Sequence, residues 1–132
     1  MSKPDSLYTQ IGGEVPLRKL VDDFYDVMDT SPFTAGIRQM HPENLQTSRD
    51  KLFEFLSGWT GGPNLFVEKH GHPRLRARHF PFKIGTSERD QWLYCFHHAL
   101  EKAGFPEHLA EFFRNAVSNL ADHMRNQNEA GE

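Results

Sequence analysis

The chain carries a single cysteine, Cys95, in 132 residues, so no internal disulfide can staple it and its stability must come from a packed core. It has no apolar run near the 20 residues that a membrane helix needs, and no amino-terminal stretch of signal-peptide type. These absences point to a cytoplasmic protein with no membrane association. No repeat, low-complexity tract or linker rich in Pro, Gly or Ser divides the sequence. Residues 1–132 therefore read as a single domain, with a core over about 7–124 and a polar tail over 125–132 expected to fray. An excess of one charge is missing too. A net charge of −3 and a pI near 6.2 argue against a nucleic-acid partner, although Arg74, Arg76 and Arg78 form a local basic run. No histidine pair has the i, i+4 spacing of a helical zinc site. What the chain does have is phenylalanine, eleven of them, which suits a core that wraps a large flat apolar group.

No segment alternates with the period of a strand, and the apolar positions recur instead at helical spacing. From Glu14 to Asp29, residues Leu17, Leu20, Val21, Phe24 and Met28 make one stripe with Tyr25 at its edge. Leu45, Ser48, Leu52, Phe55, Leu56 and Trp59 make a second, in which Ser48 is the one polar inward residue. Gly61-Gly62-Pro63 ends it. Ser87 is a plausible N-cap for a third helix with stripe Trp92, Phe96, Ala99, Leu100 and Ala103, closed by Gly104. Pro106 opens a fourth with stripe Leu109, Phe112, Phe113, Ala116, Val117, Leu120 and Met124. The expected fold class is all-α.

The segment Arg74-Leu75-Arg76-Ala77-Arg78-His79-Phe80-Pro81-Phe82 stands apart from these four helices. Arg74 to His79 can form about a turn and a half of helix before Pro81 stops it, because proline lacks a backbone N–H and disfavours helical geometry in its predecessor. His79 then sits in a last turn beside Phe80 and Phe82, as a rigid imidazole of the kind that holds haem iron from one side. Taken alone, a histidine at a basic helix end is as well read as a surface residue or a cap on terminal carbonyls.

Several blocks, in order, change that balance: Tyr8-Thr9-Gln10-Ile11-Gly12-Gly13, Phe24-Tyr25, Trp59-Thr60-Gly61-Gly62-Pro63, Gly71-His72-Pro73 running into Arg74 to Phe82, and Glu88-Arg89-Asp90-Gln91-Trp92-Leu93. From about Leu7 to about Met124 the chain closely resembles the group II truncated haemoglobins. The resemblance implies a two-over-two helical sandwich around haem b (iron protoporphyrin IX), with His79 as the proximal metal ligand. It places Tyr25, His41, Ser48 and Trp92 on the distal side, where ligands bind. Without it, Tyr25 reads as a core or boundary tyrosine, Trp92 as plain core and His41 as a loop surface residue. In this family the His41 position more often holds tyrosine or phenylalanine, so the imidazole is a departure that adds a titratable group. Ser48 stands where ordinary globins carry a distal histidine, so internal coordination by that route is not expected. This leaves a five-coordinate iron, or His41 or Tyr25 as internal ligands.

Around the haem rim, Lys51 and Arg78 are candidate partners for the propionates and equally readable as solvated charges. Leu52, Phe55, Phe66 and Phe82 are candidate apolar walls, or ordinary core. Dioxygen gains negative charge on binding to ferrous iron, so a phenol O–H and an indole N–H aimed at it stabilise the bound state. Two such donors imply slow release. The leading expectation is reversible binding of dioxygen and other small ligands (CO, NO, cyanide, sulfide), as an oxygen store or sensor more than as an oxygen transport protein, monomeric or weakly dimeric. The second is an oxidising or detoxifying enzyme, a nitric oxide dioxygenase, peroxidase or sulfide oxidase served by an unidentified reductase. The third, from a different class, is a haem-free helical interaction module.

Overall fold

The structure, a computed structural model, describes residues 6–126, the Arg76 side chain excepted. Among these residues there is no strand, and the helices are α1 (Leu7–Gln10), α2 (Glu14–Thr30), α3 (Ala35–Arg38), α4 (Gln46–Trp59), α5 (Leu65–His70), α6 (Leu75–His79), α7 (Thr86–Ala103) and α8 (Glu107–His123). A single 3₁₀ turn, Pro32–Thr34, leads into α3. Helix α2 packs on α4 and α7, and α7 packs on α8. The result is the two-over-two sandwich, with α2 and α4 over α7 and α8. None of these helices is long and apolar enough to cross a membrane.

The stripe read for α2 is buried in full, from Leu17 through Met28, and Tyr25 is only 5% exposed. At the centre, Phe24, Phe96 and Phe113 are fully buried, with ring centroids 5.9 Å apart for the first pair and 5.3 Å for the second. Burying each such ring stabilises the fold by roughly 1.5–3 kcal/mol before packing geometry is counted. Cys95 lies in the same core with no exposure, and burial pushes its thiol up to about 12. It is an apolar filler with no thiolate chemistry at neutral pH.

Two of the sequence blocks meet in space. The Tyr8 N–H donates to the Thr60 carbonyl at 2.9 Å, and a Cβ at Gly62 would fall 2.5 Å from the Tyr8 ring. The Gly61-Gly62 break is therefore a close-approach site as well as a turn: only a residue without a side chain lets α1 dock there.

Four sequence expectations need correction. Phe112 is 61% exposed and not inward. The buried stripe of α8 runs Leu109, Phe113, Val117, Ala121, and Phe112, one residue before Phe113, is turned by about 100°. It lines a shallow cleft of about 440 Å³ with Leu7, Trp59 and Ala116. The α7 helix begins before Ser87, at Thr86, with Gly85 as its N-cap. There the Gly85 N–H donates to the Glu88 carboxylate at 2.7 Å, so a reverse cap from inside the helix replaces the expected serine. Ser48 is not the sole polar residue turned inward on α4, because Glu54 and Ser57 are buried. Each is satisfied: Ser57 donates to the Pro63 carbonyl at 2.7 Å, and Glu54 accepts from Lys69 at 2.9 Å and faces His70 at 3.1 Å. Finally, the tail does not fray at its start. Arg125 pairs with Asp122 at 2.9 Å, and Asn126 is bonded to the segment around His79. Residues 127–132 lie outside those described.

Candidate functional site

Helix α2 delivers Tyr25 because Phe24 points into the core and the next residue, about 100° round, faces the space between α2 and α4. Burial pushes the Tyr25 phenol well above its ordinary range, against the opposing pull of the Arg49 guanidinium. The group is therefore an O–H donor at any physiological pH. Arg49 lies 5.9 Å over the Tyr25 ring. It donates to Asp22 at 3.2 Å and to Asp26 at 2.8 Å, so the residue after Ser48 ties α4 to both turns of α2 that flank Tyr25. Trp92 on α7 is half-buried, and its ring stacks on Phe96 at 5.3 Å. Tyr25 and Trp92 both pack edge-on against Phe24, at 4.9 and 5.0 Å. Among the described residues no group hydrogen-bonds the Tyr25 hydroxyl or the Trp92 indole N–H.

His41 follows α3 and its ring stands 5.9 Å from that of Tyr25. Its Nδ1 lies 2.8 Å from the Ile37 carbonyl. A carbonyl can only accept, so Nδ1 carries the proton and the neutral ring presents an Nε2 lone pair. Burial holds the His41 pKa below its ordinary value, and the charge of Arg38 adds to that effect against the bond to Ile37. At neutral pH His41 is thus an acceptor in this space, and only protonation would make Nε2 a donor.

His79 is the last residue of α6 and half-buried. Its Nδ1 is 2.6 Å from the Leu75 carbonyl, one turn back. The carbonyl can only accept, so Nδ1 carries a proton and the neutral tautomer has its lone pair on Nε2, the atom a metal would bind, while the bond fixes the ring's rotation. Phe80 and Phe82 beside it are 57% and 40% exposed.

The rim residues fall into two groups. Phe66 is buried, with Phe55 at 6.4 Å. Arg78 lies 5.2 Å over the Phe66 ring and donates from Nε to the Pro73 carbonyl at 2.5 Å, which braces the start of α6. Leu52 and Phe55 are half-buried on α4, Ser48 is half-buried one turn before Leu52, and Lys51 is exposed. Sequence reasoning missed Arg49 and Asn126. For Arg49 a signal existed, because Asp22 and Asp26 are carboxylates one turn apart on α2 and call for a cation. Nothing in the sequence said which cation answers.

With this geometry in place, the relatives are informative. Residues 6–126 match the sequence family described as bacterial-like globin. The group 2 truncated haemoglobin YjbI of Bacillus subtilis is 39% identical over 93% of this chain and 90% of its own length. A group II two-on-two haemoglobin from Agrobacterium tumefaciens superposes with a TM-score of 0.92 at 45% identity, over 96% of this chain and 98% of that one. A truncated oxygen-avid haemoglobin from Bacillus subtilis superposes with a TM-score of 0.85 at 37% identity, over 92% of this chain and 100% of that one. The chain belongs to the bacterial-like globin family, among the group II truncated haemoglobins. Membership implies a haem-binding protein for small gaseous ligands such as dioxygen.

Proposed function

We propose that this chain holds haem b through Nε2 of His79 and binds dioxygen, and with it CO, NO, cyanide or sulfide, at a five-coordinate iron with slow release of oxygen. The residues fit the group. His79 offers a lone pair whose tautomer is set by the Leu75 carbonyl at 2.6 Å. Leu52, Phe55, Phe66 and Phe82 supply apolar surface for a flat macrocycle, and Lys51 and Arg78 supply cations for its carboxylates. When bound, the haem supplies a ferrous iron that binds diatomic ligands reversibly.

The rest is done by the chain. The observation that carries the reading is the pair of donors packed on one ring, the Tyr25 phenol and Trp92 indole, neither with a protein partner among the described residues. A ligand that draws negative charge when it binds accepts hydrogen bonds from both. Each bond contributes roughly 1.5–3 kcal/mol, on the order of tenfold to a hundredfold in affinity. His41, an acceptor at neutral pH, receives a bond from a protonated ligand and releases it when the ring itself is protonated. The oxygen-avid character named for the Bacillus subtilis relative supports the same reading. The test is the oxygen dissociation rate of the haem-loaded protein beside Tyr25→Phe and Trp92→Phe. Each substitution is expected to speed release by on the order of tenfold to a hundredfold. Rates that match the parent in both would overturn the donor account.

Strong retention also favours a second reading, in which the held ligand is consumed by nitric oxide, peroxide or sulfide chemistry with a reductase restoring the iron. Turnover of nitric oxide with a supplied reductant separates that role from storage.

A further inference from the structure

Helix α6 has five residues, too few to hold helical geometry by its own hydrogen bonds. The position of His79 must therefore be set by groups outside it. Arg78 braces its start against Pro73 and Phe66. Its end is held from a different part of the chain, two residues beyond the C-cap of α8.

Asn126 uses both ends of its side chain there. The amide nitrogen donates to the His79 carbonyl at 3.2 Å and to the Phe82 carbonyl at 2.8 Å. The amide oxygen accepts from the Ile84 N–H at 2.9 Å, and the Asn126 backbone N–H donates to the Ile84 carbonyl at 2.8 Å. Within the turn, the Phe82 N–H donates to the same His79 carbonyl at 3.0 Å. Asn126 thus supplies both amide protons to the two carbonyls that bound the His79 to Phe82 turn, and anchors itself by two bonds to buried Ile84. No other natural side chain of this length offers two donors and one acceptor in one plane.

We infer that Asn126 is the positioning residue of the proximal histidine: it fixes the His79 backbone from the end of α8, and through it the bond between the imidazole and the iron. The inference rests on the haem reading above. It couples the carboxy-terminal end of α8 to ligand affinity without Asn126 touching haem or ligand, because a histidine that shifts or rotates changes how freely the iron meets a sixth ligand.

The test is resonance Raman spectroscopy of the ferrous, ligand-free, haem-loaded full chain, read at the iron–histidine stretch. In Asn126→Asp the acceptor for Ile84 is kept, but both donors are lost and a carboxylate faces two carbonyls. The band is expected to shift and broaden, and haem loss to quicken by on the order of tenfold for two missing hydrogen bonds. Asn126→Ala, which leaves the carbonyls to water, should move the band in the same direction and covers the case in which the aspartate variant fails to fold. A second background separates positioning from general damage. In His79→Gly with imidazole supplied in solution, the ligand is detached from the backbone, so adding Asn126→Asp should leave the iron–imidazole band where it was. An unshifted band in both Asn126 variants, or an equal shift in the detached background, overturns the inference and leaves the haem reading standing. A parent protein with no iron–histidine band overturns the haem reading itself.

Discussion

The face formed by α2, α4 and α7 and the segment from α5 to Gly85 are held by different forces. On the first, Phe24 is fully buried with Tyr25, Trp92 and Phe96 arranged around it at 4.9 to 5.9 Å. Dispersion and desolvation do most of the holding there, and the hydrogen-bonding groups of Tyr25 and Trp92 remain free for a ligand. The second is a chain of polar ties: Glu54 to Lys69 and His70, Arg78 to Pro73, Arg74 N–H to His72, Leu75 to His79, Asn126 to His79 and Phe82. Packing sets Tyr25 and Trp92. Hydrogen bonds set His79. On the proposed haem reading, ligand affinity can be altered from either side independently.

The largest expected effect that would separate the two regions is at Phe24. Phe24→Ala should lose about 3–5 kcal/mol of stability in denaturant unfolding of the haem-free chain, as a cavity opens under both donors. A loss of under about 1 kcal/mol would mean that the distal face does not depend on this ring.

Acid should separate the regions in sequence. His41 has a folded pKa depressed below its ordinary 6.5, so the unfolded chain binds the extra proton first, and stability falls as pH drops from about 6.5 toward the lowered value. Glu54 is also depressed, from 4.5, by its bonds to Lys69 and His70 in excess of the cost of burial. Its contribution is present above about 4.5 and is lost as pH falls through the folded value. Hydrogen exchange against pH should therefore show the α3–α4 turn loosening before α5. Simultaneous loosening would contradict the separation.

The smallest effect is at Arg74, which takes a left-handed conformation, φ 44 and ψ 51, at the entrance to α6. This costs an L-residue with a side chain about 1–2 kcal/mol. Arg74→Gly removes that cost and regains flexibility in the unfolded chain, for a net gain of roughly 0.5–1 kcal/mol in thermal unfolding. A loss instead would show that the arginine side chain holds α6.

This division also explains what could be read from the sequence. The stripes of α2, α4 and α7 repeat every three or four residues, so Leu17, Phe24, Leu56 and Phe96 announced themselves, and Phe112 misled because, about 100° round from Phe113, it falls on a flank of α8 that no helix covers. Helices α1, α3 and α5 were not announced, because four to six residues carry no period. The place of His79 at the end of a short helix was legible from Pro81, two residues on. Its supports were not. Asn126 lies 47 residues away, and a carboxamide that bonds backbone carbonyls leaves no pattern in either partner. The His41 tautomer depends on the Ile37 carbonyl, which any residue at position 37 would supply. Arg49 was hidden by its place among ordinary surface charges of α4.

The central claim is that His79 holds haem with Tyr25 and Trp92 above it, and the most direct measurement is the absorption spectrum of the haem-loaded, reduced protein under carbon monoxide, beside His79→Gly with and without added imidazole. The account predicts a sharp six-coordinate carbonyl spectrum in the parent, its loss or alteration in the variant, and its return with imidazole. A parent that takes up no haem, or a variant whose spectrum matches the parent without imidazole, would contradict it.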